Sequence, residues 1–337
     1  MKALVIGCGS IGLRHVGHLL KIGVTDIEVA DPSPQACRNA QQLFNIPTYL
    51  APSEALQRQP EIVLVCTPAN LHIAVALQAL DSGAHVFIEK PLSTSLNGVD
   101  NLLEKARVKG RNVQVGYNLR YHPAIKAINR IVESGRLGRI LTAHAEFGLY
   151  LGKWWPDRDY RQSYMVGDDL GQGLLLDASH EIDSLMWFLG EVQQVSAFGG
   201  KLSGLEIGGA DAIRILMKMK SGAIATVHLD CLQPTYTRKY TLVGEDTAVH
   251  WDCPQGRADT SLGRLRLFDS ETNQFKSVGL RGRPEDTYVE ELRDFVRSVK
   301  TGEPPPVGIE EGAKVLQVIG AIQEASQTWQ LFHLKEH

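Results

Sequence analysis

Cysteine is scarce and unpaired in pattern. Cys8, Cys37, Cys66, Cys231 and Cys253 are the five in the chain, far apart and without a C-x-x-C, so neither a disulfide framework nor a zinc site is indicated. His180-Glu181 lacks the following histidine that a zincin helix needs, and no metal is expected. Long apolar runs are missing too: nothing approaches the roughly 18 residues of a membrane span. The run after Lys2 stops at Gly7, too early for a secretory leader. A net charge of −3 with dispersed basic residues leaves no electrostatic footprint for nucleic acid or an anionic membrane. Internal repeats and low-complexity tracts are absent. The expectation is a cytoplasmic protein with no nucleic-acid or membrane partner.

What is present is an ordinary globular composition, 337 residues with 43% hydrophobic and 22% charged, enough for two domains with full cores. The most informative stretch comes first. Ala3 to Ile6 is a short apolar run, Gly7-Cys8-Gly9-Ser10-Ile11-Gly12 interrupts it, and Leu13, Val16, Leu19 and Leu20 then recur at helical spacing. Strand, glycine turn and helix in that order leave a bare helix N-terminus facing any diphosphate. A second strand, Ile27 to Ala30, ends in Asp31 about 20 residues beyond the turn, where a carboxylate can accept from a ribose 2′-hydroxyl and repel a 2′-phosphate. NAD is therefore expected over NADP, with Arg38 nearby leaving NADP possible. The alternative is that Asp31 only caps a helix begun at Pro32 or Pro34.

Strands and helices then alternate. Ile62 to Cys66 and Ala84 to Ile88 are apolar throughout, as in strands buried on both faces, and Asn112 to Gly116 closes the series. This predicts an α/β domain over residues 1–122, a doubly wound parallel sheet with ligands at the carboxyl ends of its strands. The loops there hold Cys66-Thr67-Pro68 with Asn70 and His72, Glu89-Lys90-Pro91, and Asn118 with Arg120, Tyr121 and His122. Past Pro123 alternating runs dominate, at Ile140 to Tyr150, Gln194 to Phe198, Ala212 to Lys218, Ala223 to Leu229, Lys239 to Val243, Thr247 to Trp251 and Leu265 to Phe268. Residues 123–337 are thus expected to form an α+β domain on a large, mostly antiparallel sheet. Two closing helices, Pro284 to Thr301 and Ile309 to Gln327, are expected to pack back towards the interdomain region.

Three groups could do chemistry. Asp177 and His180 lie at i and i+3 of a helical pattern running from Gly173 to a stop at Gly190, so the carboxylate can orient an imidazole base; the same spacing also occurs on solvated helices. Lys90, held extended before Pro91 at a buried strand end, can stabilise an alkoxide, or be one more surface lysine. Arg120, Tyr121 and His122 suit substrate binding or interdomain packing equally. Trp154-Trp155-Pro156-Asp157-Arg158-Asp159-Tyr160-Arg161 suits a sugar-stacking cover, with Trp155 against substrate, or a subunit interface.

Together these residues resemble the Gfo/Idh/MocA oxidoreductases, the glucose–fructose oxidoreductase and inositol dehydrogenase family, over nearly the whole chain. The resemblance implies an NAD(P)-dependent dehydrogenase acting on a secondary hydroxyl of a sugar, cyclitol or sugar derivative. By that analogy Gly7, Gly9, Ser10, Ile11, Gly12, Asp31, Cys66, Thr67, Pro68, Asn70, His72, Glu89, Lys90 and Asn118 would bind the cofactor. Lys90, Asp177 and His180 would be catalytic, His180 taking the hydroxyl proton. It further implies a homodimer or homotetramer. The family usually carries D-x-x-x-H, and one residue is missing here between Asp177 and His180. That variant and the Trp154 to Tyr164 stretch are similar to members linked to nonulosonic-acid and surface-sugar biosynthesis, which brings in amino sugars and sugar nucleotides. Two alternatives stand beside this: a cofactor-binding sensor without turnover, and a lyase or glycosidase that oxidises its substrate transiently on tightly held NAD.

Overall fold

Apolar runs without alternation become interior parallel strands. The computed structural model describes residues 1–154, 159–163, 173–253, 257–328 and 330–334. Its first part alternates as β1 (Lys2–Ile6), α1 (Ser10–Lys21), β2 (Asp26–Ala30), α2 (Pro34–Phe44), β3 (Thr48–Tyr49), α3 (Pro52–Leu56), β4 (Ile62–Val65), α4 (His72–Asp81), β5 (His85–Glu89), α5 (Val99–Lys109) and β6 (Val113–Gly116). Among the described residues these strands form a six-stranded sheet in the order β3-β2-β1-β4-β5-β6, parallel at every pairing. The order reverses at β1, so the switch point lies at the carboxyl ends of β1 and β4. Helix α5 starts at Val99, because Gly98 sits at φ +80° and breaks the helical path.

A 3-10 turn (Asn118–Tyr121) leads to α6 (Pro123–Glu133), β7 (Ile140–Gly148), α7 (Leu174–Asp177), α8 (Ser179–Leu189), β8 (Val192–Gly200), β9 (Ala212–Met219), β10 (Ile224–Asp230), β11 (Thr237–Gly244), β12 (Ala248–Asp252), β13 (Arg264–Asp269), β14 (Gln274–Ser277), α9 (Thr287–Thr301), α10 (Ile309–Thr328) and β15 (Phe332–His333). The strands form a nine-stranded sheet among the described residues, β14-β13-β12-β11-β7-β10-β9-β8-β15. It is antiparallel except where β7 pairs with β10. The mostly antiparallel second sheet is as expected. Its edge strands β14 and β15 carried no signal: β14 is exposed at every position and β15 has two residues. Alternation sets the two faces. On the inner one Tyr240 packs edge-on to Phe188 of α8, ring centroids 6.0 Å apart, and lies 5.8 Å from Trp251.

The chain gathers into two compact units, Met1–Asn118 with Tyr288–Leu316, and Leu119–Thr287 with Gln317–His337. The linear reading kept both closing helices with residues 123–337. Tyr288–Leu316 joins the first unit because the apolar stripe of α9 supplies Leu292, Phe295 and Val296 to the core built on Leu19, Leu64 and Phe87. Among the described residues no helix is long and apolar enough to cross a membrane.

Candidate active site

In the first unit the glycine turn is shaped by close approach. Gly7 has φ +99°, and a Cβ there would lie 2.5 Å from the Cys66 carbonyl oxygen; a Cβ on Gly12 would lie 1.9 Å from that of Gly7. Both positions need glycine for packing within the turn. A Cβ on Gly9 would meet nothing within 4 Å, so the protein itself does not require glycine there. The N-terminus of α1 has no side-chain cap and no acidic residue in its first turn, leaving amides and the positive end of the dipole available to an anion. Ser10 is exposed and Ile11 half-buried at that end.

Asp31 is bound into this turn. Its Oδ2 accepts from the Cys8 amide at 2.7 Å and its Oδ1 from Ser33 at 2.8 Å. The cap of α2 is Ser33, whose side chain accepts from the Ala36 amide, so Asp31 does not take the capping role. Arg38 donates to Gln35 Oε1 at 2.7 Å.

The loop after β4 adds Cys66, whose thiol is pushed well above its usual range by burial and then by Glu89. Thr67 Oγ1 is buried without a hydrogen-bond partner. Pro68 and Asn70 are exposed, whereas His72 is buried and bridges the Thr67 and Pro91 carbonyls, 2.9 Å from each. Burial lowers the His72 pKa, although both carbonyls favour the charged ring. Glu89 is buried, its Oε1 2.5 Å from His15 Nε2 and its Oε2 accepting from the Lys90 amide at 3.1 Å. That carboxylate faces the protein interior, which departs from the expected contact with cofactor. Lys90 is half-buried and joined to Pro91 by a cis peptide bond; Asn118 is half-buried at the unit's end. An open Gly9, bare amides, an ionisable carboxylate at the end of β2 and an orphaned Thr67 hydroxyl fit a dinucleotide.

In the second unit the expected single helix divides. Asp177 ends α7, Ala178 at ψ 24° breaks the path, and His180 is the second residue of α8. The two are therefore not stacked on one continuous helical face. Asp177 lies beside the end of β10, where its charge, after burial, raises the Cys231 thiol. His180 is buried.

Two buried ion pairs hold α8. Glu181 accepts from Arg238 of β11 at 2.7 Å and from the Tyr240 hydroxyl at 3.3 Å, and Arg238 lies over the Phe147 ring at 4.7 Å. Asp183, with no side-chain exposure, takes a forked pair of bonds from Arg120, at 2.9 and 2.6 Å. The Arg120 guanidinium also covers Trp187. Arg120 thus supports the helix that carries His180, where substrate contact was one expectation.

His122 is likewise structural. Its Nδ1 accepts from the Ala124 amide as the cap of α6, and its Nε2 donates to the Ser261 carbonyl at 3.1 Å. With both nitrogens engaged and the residue fully buried, it has nothing left for a substrate. Tyr121 is buried beneath Lys126. Trp155 lies outside the described residues, while Trp154 donates to the Leu149 carbonyl at 2.8 Å. Among the described residues no group of three or more metal-ligating side chains comes together.

Sequence reasoning passed over His15, the ion pairing of Glu181 and of Asp183, and Arg238. A signal existed for the last three. Arg238 occupies an inward strand position two before Tyr240, and the two acids interrupt an otherwise apolar helix, which calls for a partner.

Comparison with known proteins agrees over both units. A family model described as the GFO/IDH/MocA oxidoreductase family, NAD-binding Rossmann fold, matches residues 1–117, and that of the GFO/IDH/MocA C-terminal domain matches residues 125–250. Myo-inositol 2-dehydrogenase of Thermotoga maritima is 28% identical over 330 residues, 94% of this chain and 93% of that enzyme. A levoglucosan dehydrogenase solved with NADH superposes with TM-score 0.88 at 18% identity, covering 100% of both chains. The WlbA dehydrogenase of Bordetella pertussis, solved with NADH and UDP-GlcNAcA, gives TM-score 0.83 at 20% identity, covering 100% of this chain and 99% of that one.

Proposed function

The chain belongs to the Gfo/Idh/MocA oxidoreductases, and from that premise we propose that it moves a hydride between NAD and a secondary hydroxyl or ketone of a cyclitol or sugar. The observation that carries the reading is the position of Lys90, at the carboxyl end of β5 in the unit that holds the open glycine turn and Asp31. The amides at the start of α1 would hold the pyrophosphate, and Asp31 would accept from the ribose hydroxyls. With Arg38 engaged by Gln35, a 2′-phosphate has less to meet it than the ribose of NAD has. When bound, the nicotinamide supplies the hydride acceptor.

The chain's own residues do the rest. Lys90 donates to the reacting oxygen and stabilises its developing negative charge. His180 takes the hydroxyl proton, and the ion pairs through Glu181 and Asp183 fix the helix that carries it. Asp177, separated from His180 by the break at Ala178, acts on substrate hydroxyls more than on the imidazole.

The near full-length likeness to an inositol 2-dehydrogenase supports cyclitols and simple sugars first. The solved complex of WlbA with UDP-GlcNAcA keeps sugar nucleotides in the panel. NADH absorbance should rise with one substrate class. His180→Asn should lower turnover about 10²–10⁴-fold while calorimetry still shows NAD+ binding. NAD+ binding with no absorbance change for any inositol, sugar or UDP-sugar would defeat the proposal.

We also infer a homodimer or homotetramer. The outer face of the nine-stranded sheet exposes Phe198, Leu216, Ile224 and Val243 at 36–55%, with Ile224 and Val243 flanking Thr142 of β7 from its two sides. Light scattering should give at least two chain masses, and a mass of one chain would refute this. The five buried cysteines, none of them in a disulfide, support a reducing compartment, the cytoplasm.

A further inference from the structure

Resting on the role given to Lys90, we propose that His15 and Glu89 form a buried positioning pair that sets the Lys90 backbone, and with it the reach of the Lys90 ammonium. Glu89 is the last residue of β5, so its carboxylate stands where the sheet meets its ligand loops. One oxygen is held by His15 Nε2 at 2.5 Å and the other accepts from the Lys90 amide at 3.1 Å. His15 is fully buried on α1, the helix of the glycine turn, and its ring is wedged edge-on against Phe87 at 5.4 Å and Tyr288 at 5.8 Å. Nε2 is thus the ring nitrogen engaged with the carboxylate, and Nδ1 has no hydrogen-bond partner.

The arrangement costs two buried polar groups and gives α1 a fixed link to Lys90. Glu89 also acts electrostatically on Cys66 after β4 and on His72 of α4. One carboxylate thus ties the phosphate-binding helix, the loop after β4 and the lysine together. A shift of α1 would be transmitted to Lys90 through two hydrogen bonds, and misplacement of a reacting group by about 1 Å costs on the order of 10² in rate.

The test uses the full chain, first without substrate. Glutamate labelled at the carbonyl carbon and lysine labelled at nitrogen select the two Glu-Lys peptide links, Glu89-Lys90 and Glu104-Lys105, and Lys90→Met identifies the first. His15→Leu should shift and broaden the Lys90 amide resonance while leaving Lys105 in place, and His15→Gln, which keeps a donor at the same reach, should restore it. In turnover, His15→Leu should lower kcat by about 10²-fold with KM for NAD+ little changed, and should add nothing in a Lys90→Met background. An unmoved Lys90 amide in a folded His15→Leu protein overturns the pairing. A moved amide in a protein that turns over nothing leaves the pairing standing and counts against the dehydrogenase reading. Equal, additive losses in the two backgrounds would show that His15 acts on stability alone.

Discussion

His122 shows how a residue can look like chemistry and be architecture. Burial brings its pKa from the usual 6.5 down to about 4, the Ser261 carbonyl only partly offsetting this. Because the folded value is depressed, the unfolded chain takes up the proton first as pH falls. The contribution is complete above pH 6.5 and is lost between about 6.5 and 4, at up to ~1.4 kcal/mol per unit. His122→Asn keeps an acceptor for the Ala124 amide, since asparagine caps helices well, and removes the titration. Urea unfolding at pH 5 and pH 7.5 should therefore differ less in the variant than in the wild type. An equal difference would show that His122 is not the titrating group. Sequence placed His122 correctly at a strand-end loop. The Ser261 carbonyl that occupies it comes from 139 residues away, a partner no local pattern encodes. Glu89 fails in the same manner: its tripeptide was legible, its partner on α1 was not.

At the scale of elements, the opening strand, turn and helix were almost fully legible because their determinants are local: an apolar run, glycines at fixed spacing, and Asp31 on the next strand. What packing adds is a division of labour among the glycines. Gly12→Ala puts a Cβ 1.9 Å from a backbone oxygen, so the turn must move, with loss of both stability and cofactor affinity. Gly9→Ala meets no protein atom within 4 Å, so it should melt within a degree or two of wild type and still bind NAD+ more weakly, as calorimetry would show. Unchanged NAD+ affinity in Gly9→Ala would place the diphosphate elsewhere. Helix α8 was less legible. Apolar periodicity runs unbroken from Leu174 to Leu189, and only the three-dimensional fold shows the break at Ala178 and the two arginines that hold the helix by its acids.

For the whole molecule, composition and alternation carried the two fold classes, and the family match extends over both units. The return of Tyr288–Leu316 to the first unit was not readable, since an amphipathic helix states that it has an apolar face and not which core receives it. The dehydrogenase account reduces to one atom transfer. A cyclitol or sugar that the protein converts would be prepared with deuterium on the carbon bearing the reacting hydroxyl and incubated with NAD+ and the wild-type protein, and the nucleotide analysed by mass. The account predicts NADH one deuteron heavier, formed in step with ketone and slowed about 10²–10⁴-fold by His180→Asn. Product released while the nucleotide stays oxidised and unlabelled would contradict it and establish transient oxidation on retained NAD.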